Sequence, residues 1–214
     1  MSDIIDNWTP PWEIKIVDDF LKDNYHKFLT KLIGKRENLF MESVQVRNRK
    51  RVVQKEHKIR LDYILTPEEC SIIDKEFLDK ANCKCNLRER WRILYYNGDA
   101  DEKAFRGEHT DWTSTSCRHR RMSIIIGLTD PSEYEGGELV FKNNDLKLKI
   151  KKGSAVIFDS RLVHEVLPVT KGKRYVIQAF LFDKSGFDIK KYKIDIRFFK
   201  LLQNNIKDVD NYFD

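Results

Sequence analysis

The sequence predicts an α+β, mainly β fold: a double-stranded β-helix, or jelly roll, with N-terminal helices packed on its outer face. Three observations carry this expectation. Between about Leu87 and Phe182 the chain falls into eight short segments of alternating polarity, rich in branched and aromatic residues. Turn signals separate them at Asp130-Pro131, Gly136-Gly137, Asn143-Asn144 and Lys152-Gly153. Ahead of them lie two stretches with apolar residues at helical spacing. Short antiparallel strands preceded by helices pack well as two facing sheets, and such a double sheet is open at one end, where ligands enter.

The elements follow in chain order. Residues 17–33 place Val17, Phe20, Leu21, Phe28, Leu29, Leu32 and Ile33 on one face, with Asp18 and Asp19 in the first turn and Gly34 after the last, and so predict a helix. Residues 45–58 are strongly basic and are expected as strand and surface loop. A second helix opens at Thr66-Pro67-Glu68-Glu69, where the Thr hydroxyl can cap, Pro suits the first helical position and Glu69 completes a capping box. The predicted strands are 87–96, 105–112, 120–129, 138–141, 146–151, 154–158, 163–169 and 174–182. In the fifth, Leu146, Leu148 and Ile150 alternate with Lys147, Lys149 and Lys151, a half-buried strand whose lysine row faces water. Phe198, Phe199, Leu201 and Leu202 are expected to dock a last helix. One domain results: 1–86 as a supporting region, 87–183 as the core and 184–214 as a C-terminal extension.

The chain of 214 residues carries a formal charge of +6, spread over its length, which serves solubility as readily as it attracts an anionic partner. Cys70, Cys83, Cys85 and Cys117 lack the paired spacing of a structural zinc site. No apolar run is long enough to span a bilayer, and the first 20 residues are interrupted by Asp3, Asp6, Glu13, Lys15, Asp18 and Asp19. The expectation is a cytoplasmic protein with free thiols and no membrane contact.

His109-Thr110-Asp111 puts an imidazole and a carboxylate on one face of a strand end, where two ligands of one metal can converge. His164 opens a later strand. Two neutral imidazoles and one carboxylate on one face of an octahedral ion leave three positions open, which suits non-heme iron(II) and O2 better than zinc. Arg174 follows His164 by ten residues, near enough for a hairpin at Lys171-Gly172 to lay the two strands side by side. Its guanidinium can hold one end of a dicarboxylate through two parallel hydrogen bonds while the other end meets the metal. His26, His57 and His119 are expected to be solvated surface residues.

In order and spacing, Tyr96, Phe105 to His109-Thr110-Asp111, Glu135-Gly136-Gly137-Glu138-Leu139, His164-Glu165-Val166 with Pro168, and Arg174 resemble the prolyl 4-hydroxylase-like branch of the 2-oxoglutarate/iron(II) oxygenases. The resemblance runs from about Trp91 to Phe182, with a weaker match over residues 16–21. It implies iron(II), 2-oxoglutarate and O2 as cofactor and cosubstrates, with ascorbate as an accessory reductant. It assigns His109, Asp111 and His164 to iron as the catalytic centre, Arg174 to the distal carboxylate of 2-oxoglutarate, and Tyr96 to the cosubstrate, with Tyr95 the alternative should the register slip by one. Phe105 stands where the branch commonly has tyrosine, and Val176 where another branch has serine. The presence of Asp111 sets the chain apart from the similar halogenases, which lack that carboxylate.

The implied activity is hydroxylation of a prolyl or similar residue of a protein, with succinate and CO2 as co-products. Trp112 and Arg120, with Arg118 and Arg121, are candidates for the substrate mouth. Three alternatives stand beside it: an oxidative nucleic-acid demethylase, a small-molecule hydroxylase and a non-enzymatic jelly-roll binding protein. The first is disfavoured because Phe180 occupies the place, six residues beyond Arg174, where such demethylases resembling this core carry a second arginine.

Overall fold

Ile14–Val17, which the helical pattern had drawn partly into a helix, is instead the edge strand of the larger sheet. The structure is a computed structural model that describes residues 9–43, 45–47, 50–52, 55–85, 87–112 and 117–183. The expected final helix lies outside them. The supporting region contains β1 (Ile14–Val17), α1 (Asp23–Arg36), β2 (Met41–Glu42), β3 (Gln45–Arg47), β4 (Lys50–Val52), β5 (Lys58–Ile59), β6 (Leu61–Ile64) and α2 (Pro67–Ala81). The core follows with β7 (Leu87–Arg88), β8 (Arg92–Asn97), β9 (Ala104–His109), β10 (Met122–Gly127), β11 (Tyr134–Gly136), β12 (Leu139–Phe141), β13 (Leu146–Leu148), β14 (Ala155–Asp159) and β15 (His164–Phe182).

The major sheet runs β1-β14-β10-β15-β8-β6-β2, and the minor sheet joins β5, β9, β11, β12 and β13 around the first half of β15. All the pairings between these named strands are antiparallel. Two predicted strands, 163–169 and 174–182, prove to be the single strand β15. The expected hairpin at Lys171-Gly172 is absent: His164 and Val169 pair with β9, whereas Lys173 to Gln178 pair with β8. The polar run 170–173 looked like a turn, but it stays paired, Lys171 with Glu135 and Gly172 with Tyr134. Gly172 takes φ +74° at this crossing, and a Cβ there would come within 2.3 Å of the Glu133 carbonyl oxygen, so only glycine fits. His164 and Arg174 therefore belong to facing sheets.

Alternation along the major-sheet strands divides the core in two. Ile93, Ile124, Ile126, Ile157 and Ile177 face outward and are covered by Leu29 and Leu32 of α1 and Ile73 and Phe77 of α2. Leu94, Ile125, Val156, Phe158 and Val176 face inward and meet Leu139, Phe141 and Val166 of the minor sheet. Each fully buried side chain of this size contributes about 1.5–3 kcal/mol, which is why β10 and β14 are buried along their whole length.

Helix α1 starts at Asp23, six residues later than its pattern implied. Asp19 has φ +51°, which ends β1, and Phe20 and Leu21 enter the outer core from the connecting turn. Helix α2 starts as expected: Thr66 Oγ1 accepts from Glu69 N at 3.3 Å, and Glu69 Oε2 accepts from Thr66 N at 2.9 Å. Glu69 also accepts from Tyr63 Oη at 2.7 Å and Arg36 Nε at 3.1 Å, tying α1, β6 and α2 together.

This clamp separates two costs. Thr66→Ala is expected to lower the unfolding free energy by about 1 kcal/mol, the usual value of an N-cap. Glu69→Ala removes hydrogen bonds to a charged acceptor and leaves Tyr63 and Arg36 without it, so about 2–3 kcal/mol is expected. Urea denaturation of both variants checks the order.

Candidate metal and oxoacid site

Strand β9 ends at His109, and β15 begins at His164 directly opposite it, so the two rings meet with centroids 4.2 Å apart. Asp111 lies just beyond the end of β9, where its backbone N donates to Ser160 O at 2.9 Å. The ligand atoms of the three residues all lie within 4.8 Å of one another. His109 Nε2 is 3.5 Å from Asp111 Oδ1, and His164 Nε2 is 3.6 Å from Asp111 Oδ2.

The tautomers follow from the other ring nitrogens. His109 Nδ1 is 2.9 Å from Gly107 O, and His164 Nδ1 is 2.9 Å from Leu162 O. A carbonyl can only accept, so each Nδ1 carries the proton, and in the neutral ring Nε2 presents a bare lone pair. Burial pushes His109 down to about 4, against the opposing pull of Asp111, which keeps that ring neutral near pH 7. Burial alone would raise the Asp111 carboxyl, but His164, His109 and Arg120 together hold it well below the usual range. Two imidazole nitrogens and a carboxylate thus converge, and this donor set fits a divalent cation with open positions.

Asp111 is fixed from behind. Its Oδ2 accepts from Ser123 Oγ at 2.7 Å, and Ser123 Oγ lies 2.9 Å from Ser160 Oγ. Arg120 Nη1 donates to the Asp111 carbonyl at 3.1 Å, while its Nε and Nη2 grip Glu89 at 2.5 and 2.9 Å. Glu89 is fully buried and also meets His119 Nε2 at 3.0 Å; Arg120 and His119 outweigh the cost of burial and bring it down to about 2. Two expectations are thereby corrected. His119 is buried, and Arg120, expected at the mouth, is 8% exposed beneath Asp111. A run of basic residues looks solvated in sequence, but its carboxylate partner stands thirty positions earlier. Trp112 donates from Nε1 to Arg118 O at 3.1 Å beneath the Arg118 guanidinium and does not line the cleft.

A cleft lies between the sheets and is lined by His109, His164, Arg174, Tyr96, Arg60 and Arg106 with an apolar remainder. Arg174 is 1% exposed, and its Nε and Nη1 have no hydrogen-bond partner among the described residues. An orphaned, fully buried guanidinium is costly unless an anion meets it, so the residues fit a carboxylate at this place. Gly137, with φ +70°, makes room: a Cβ there would lie 2.8 Å from Val169 Cγ2 and 3.0 Å from Arg174 Cδ. Tyr96 pairs with Arg174 across β8 and β15, its ring centroid 4.9 Å from the guanidinium, and its Oη accepts from Arg60 at 3.0 Å. Tyr95 faces the other way and stacks on Tyr175 at 4.6 Å. Phe180 packs its ring 3.6 Å from Arg120. Sequence reasoning missed Ser123, Ser160, Glu89, Arg60 and Arg106. Only Ser123, a lone hydroxyl within an apolar strand, left a readable trace.

A family model for the 2OG-Fe(II) oxygenase superfamily matches residues 91–182. The chain is 36% identical over 77 residues to a PKHD-type hydroxylase of Maricaulis maris, covering 35% of each chain. It is 37% identical over 90 residues to one of Nitrosomonas europaea, covering 39% of each. The aligned stretches thus span little more than a third of those relatives. Among solved structures, a Pseudomonas putida prolyl-4-hydroxylase superimposes with TM-score 0.61 at 17% identity, over 80% of this chain and 92% of that one. A Trichoplax adhaerens prolyl hydroxylase, solved with a hypoxia inducible factor oxygen degradation domain peptide fragment, gives 0.63 at 17% identity, over 81% and 84%. The fold is the double-stranded β-helix of these enzymes, and residues 91–182, somewhat under half of the chain, are similar to the 2OG-Fe(II) oxygenase superfamily.

Proposed function

We propose that the protein hydroxylates a C–H bond of a prolyl or similar residue in a polypeptide. The observation that carries this reading is the convergence of two imidazole nitrogens and a carboxylate beside a buried arginine with two orphaned donors. In it, His109 Nε2, His164 Nε2 and an Asp111 oxygen hold iron(II), and Arg174 holds the distal carboxylate of 2-oxoglutarate with Tyr96 beside it. Bound iron and oxoacid supply the oxidising chemistry, in which one atom of O2 ends in succinate as CO2 is released and the other in the substrate C–H bond. The protein's own part is positioning. Gly107 O and Leu162 O aim the two imidazoles, Ser123 and Arg120 fix Asp111, and the apolar walls formed by Leu94, Ile125, Val166 and Val176 keep water from the reacting centre.

A polypeptide substrate is supported by the solved neighbours, one of which holds a peptide fragment. No helix among the described residues is long and apolar enough to cross a membrane. The described cysteines are free, in keeping with a cytoplasmic setting. The direct test incubates iron-loaded protein with 2-oxoglutarate and a proline-containing peptide library. A gain of one oxygen on a defined residue supports the reading, and incorporation confined to free small molecules or nucleobases contradicts it.

Two variants probe the two halves of the site. His164→Ala deletes one of three metal-holding atoms and is expected to cut succinate formation by at least roughly a hundredfold while leaving the thermal unfolding transition in place. Arg174→Lys replaces a planar fork by a point charge and should weaken 2-oxoglutarate binding by roughly tenfold to a hundredfold. Calorimetry on the protein loaded with Mn(II), which does not turn over, measures the second effect.

A further inference from the structure

Arg106 occupies the wall of the cleft opposite Arg174. It lies on β9 of the minor sheet, in register with Val166 on one side and Lys58 on the other. Residues three apart on a regular strand point to opposite faces. The register with β15 shifts between the His164 and Val166 pairs, and this bulge brings both Arg106 and His109 into the cleft lining. The Arg106 side chain has no hydrogen-bond or ion-pair partner among the described residues. Lys58, at 6% exposure, has none either. Burial, with Arg60 and Arg106 close by, pushes the Lys58 ammonium down to about 7.

The neighbouring charges do not cancel this excess. Arg60 is matched by Asp62 at 2.9 Å, and Arg120 by Glu89. With iron(II) and 2-oxoglutarate in place, the dication, the Asp111 carboxylate, the dianionic oxoacid and Arg174 reach neutrality among themselves. The Arg106 guanidinium is left over, partly buried in the cleft lining, with Lys58 paired to it across β5 and β9. Buried charges of one sign are retained where an opposite charge completes them.

We propose that Arg106, backed by Lys58, is the receptor for a carboxylate of the substrate, so that the residue hydroxylated is acidic or is flanked by an acidic residue. This rests on the peptide hydroxylase reading for the identity of the substrate, though the receptor itself does not. The planar guanidinium takes the carboxylate in a paired hydrogen bond, and its position three residues before His109 sets the target C–H bond near the metal. A carboxylate has two sources here, an acidic side chain within a polypeptide or the free carboxylate of an amino acid.

The test uses the full chain loaded with Mn(II) and 2-oxoglutarate, so that binding is read without turnover, and the iron-loaded enzyme in parallel. The probes are two proline peptide libraries, one with Asp or Glu flanking the proline and one with Asn or Gln, together with free proline and free glutamate. Calorimetry is expected to show the acidic library bound roughly tenfold to a hundredfold tighter than the neutral one, and iron-loaded enzyme to show a matching difference in KM. Arg106→Gln should erase the preference and Arg106→Lys should restore part of it, while 2-oxoglutarate affinity in Arg106→Gln stays within about twofold of the parent. Equal binding of the two libraries by the parent, together with no Arg106-dependent binding of the free amino acids, overturns the proposal. So does an Arg106→Gln protein that loses 2-oxoglutarate as Arg174→Lys is expected to, because the arginine would then serve the cosubstrate. Arg106-dependent binding of free amino acids alone would keep the carboxylate receptor and overturn the peptide reading.

Discussion

Two hydrogen bonds from histidine Nδ1 to backbone carbonyls, His109 to Gly107 and His164 to Leu162, determine what this site can hold. Each commits the ring's one proton to the protein and turns the bare Nε2 toward Asp111. The result is electrostatically incomplete: lone pairs and a carboxylate face one another at 3.5–3.6 Å in a buried space. A proton between them would resolve the repulsion, but burial holds His109 neutral near pH 7. A divalent cation resolves it for all three groups at once, and the geometry of the two sheets serves this demand. The pairing of β9 with β15 sets the imidazoles opposite each other, and the crossing of β15 at Gly172 carries Arg174 to the facing wall.

Behind the first ring of groups, charge is arranged in layers. Glu89 is fully buried yet ionised, because Arg120 and His119 offset the cost of its burial, and Arg120 reaches on to the Asp111 carbonyl. Asp111 is thus tied through one arginine to a buried network. Removing a member of such a network leaves an uncompensated buried charge, which is why it acts as a rigid support. The cleft itself is the opposite case. Arg174 lines it with buried donors that the described residues leave unmatched, and Arg106 adds a second, partly buried guanidinium.

What could be read from the sequence was what is local. The capping box at Thr66 and Glu69 involves four consecutive residues, and the structure forms both of its hydrogen bonds. His109 and Asp111 are two apart, and the inward alternation of Ile125 and Val176 follows from period two. The errors arose where sheet pairing between distant residues decided the outcome. Helical spacing in residues 17–33 was overruled at its start by pairing of β1 with β14, and a polar run taken for a hairpin became part of β15 because Tyr134 and Glu135 pair with it. Arg120 was expected at the substrate mouth, since Glu89, which buries it, is 31 positions away. Arg106 was hidden by a bulge, which inverts the face that simple alternation assigns.

The account stands most directly on the dependence of oxoacid binding on the metal. Anaerobic calorimetry of metal-free protein titrated with Fe(II), and then with 2-oxoglutarate, measures it at one pH and salt concentration. The three converging acceptors predict one Fe(II) bound per chain, and 2-oxoglutarate binding at least about tenfold tighter after iron than before it, since the oxoacid then gains metal contacts as well as Arg174. An oxoacid affinity that is the same with and without iron, or an iron stoichiometry unchanged when His109 and Asp111 are both replaced by Ala, would contradict the account.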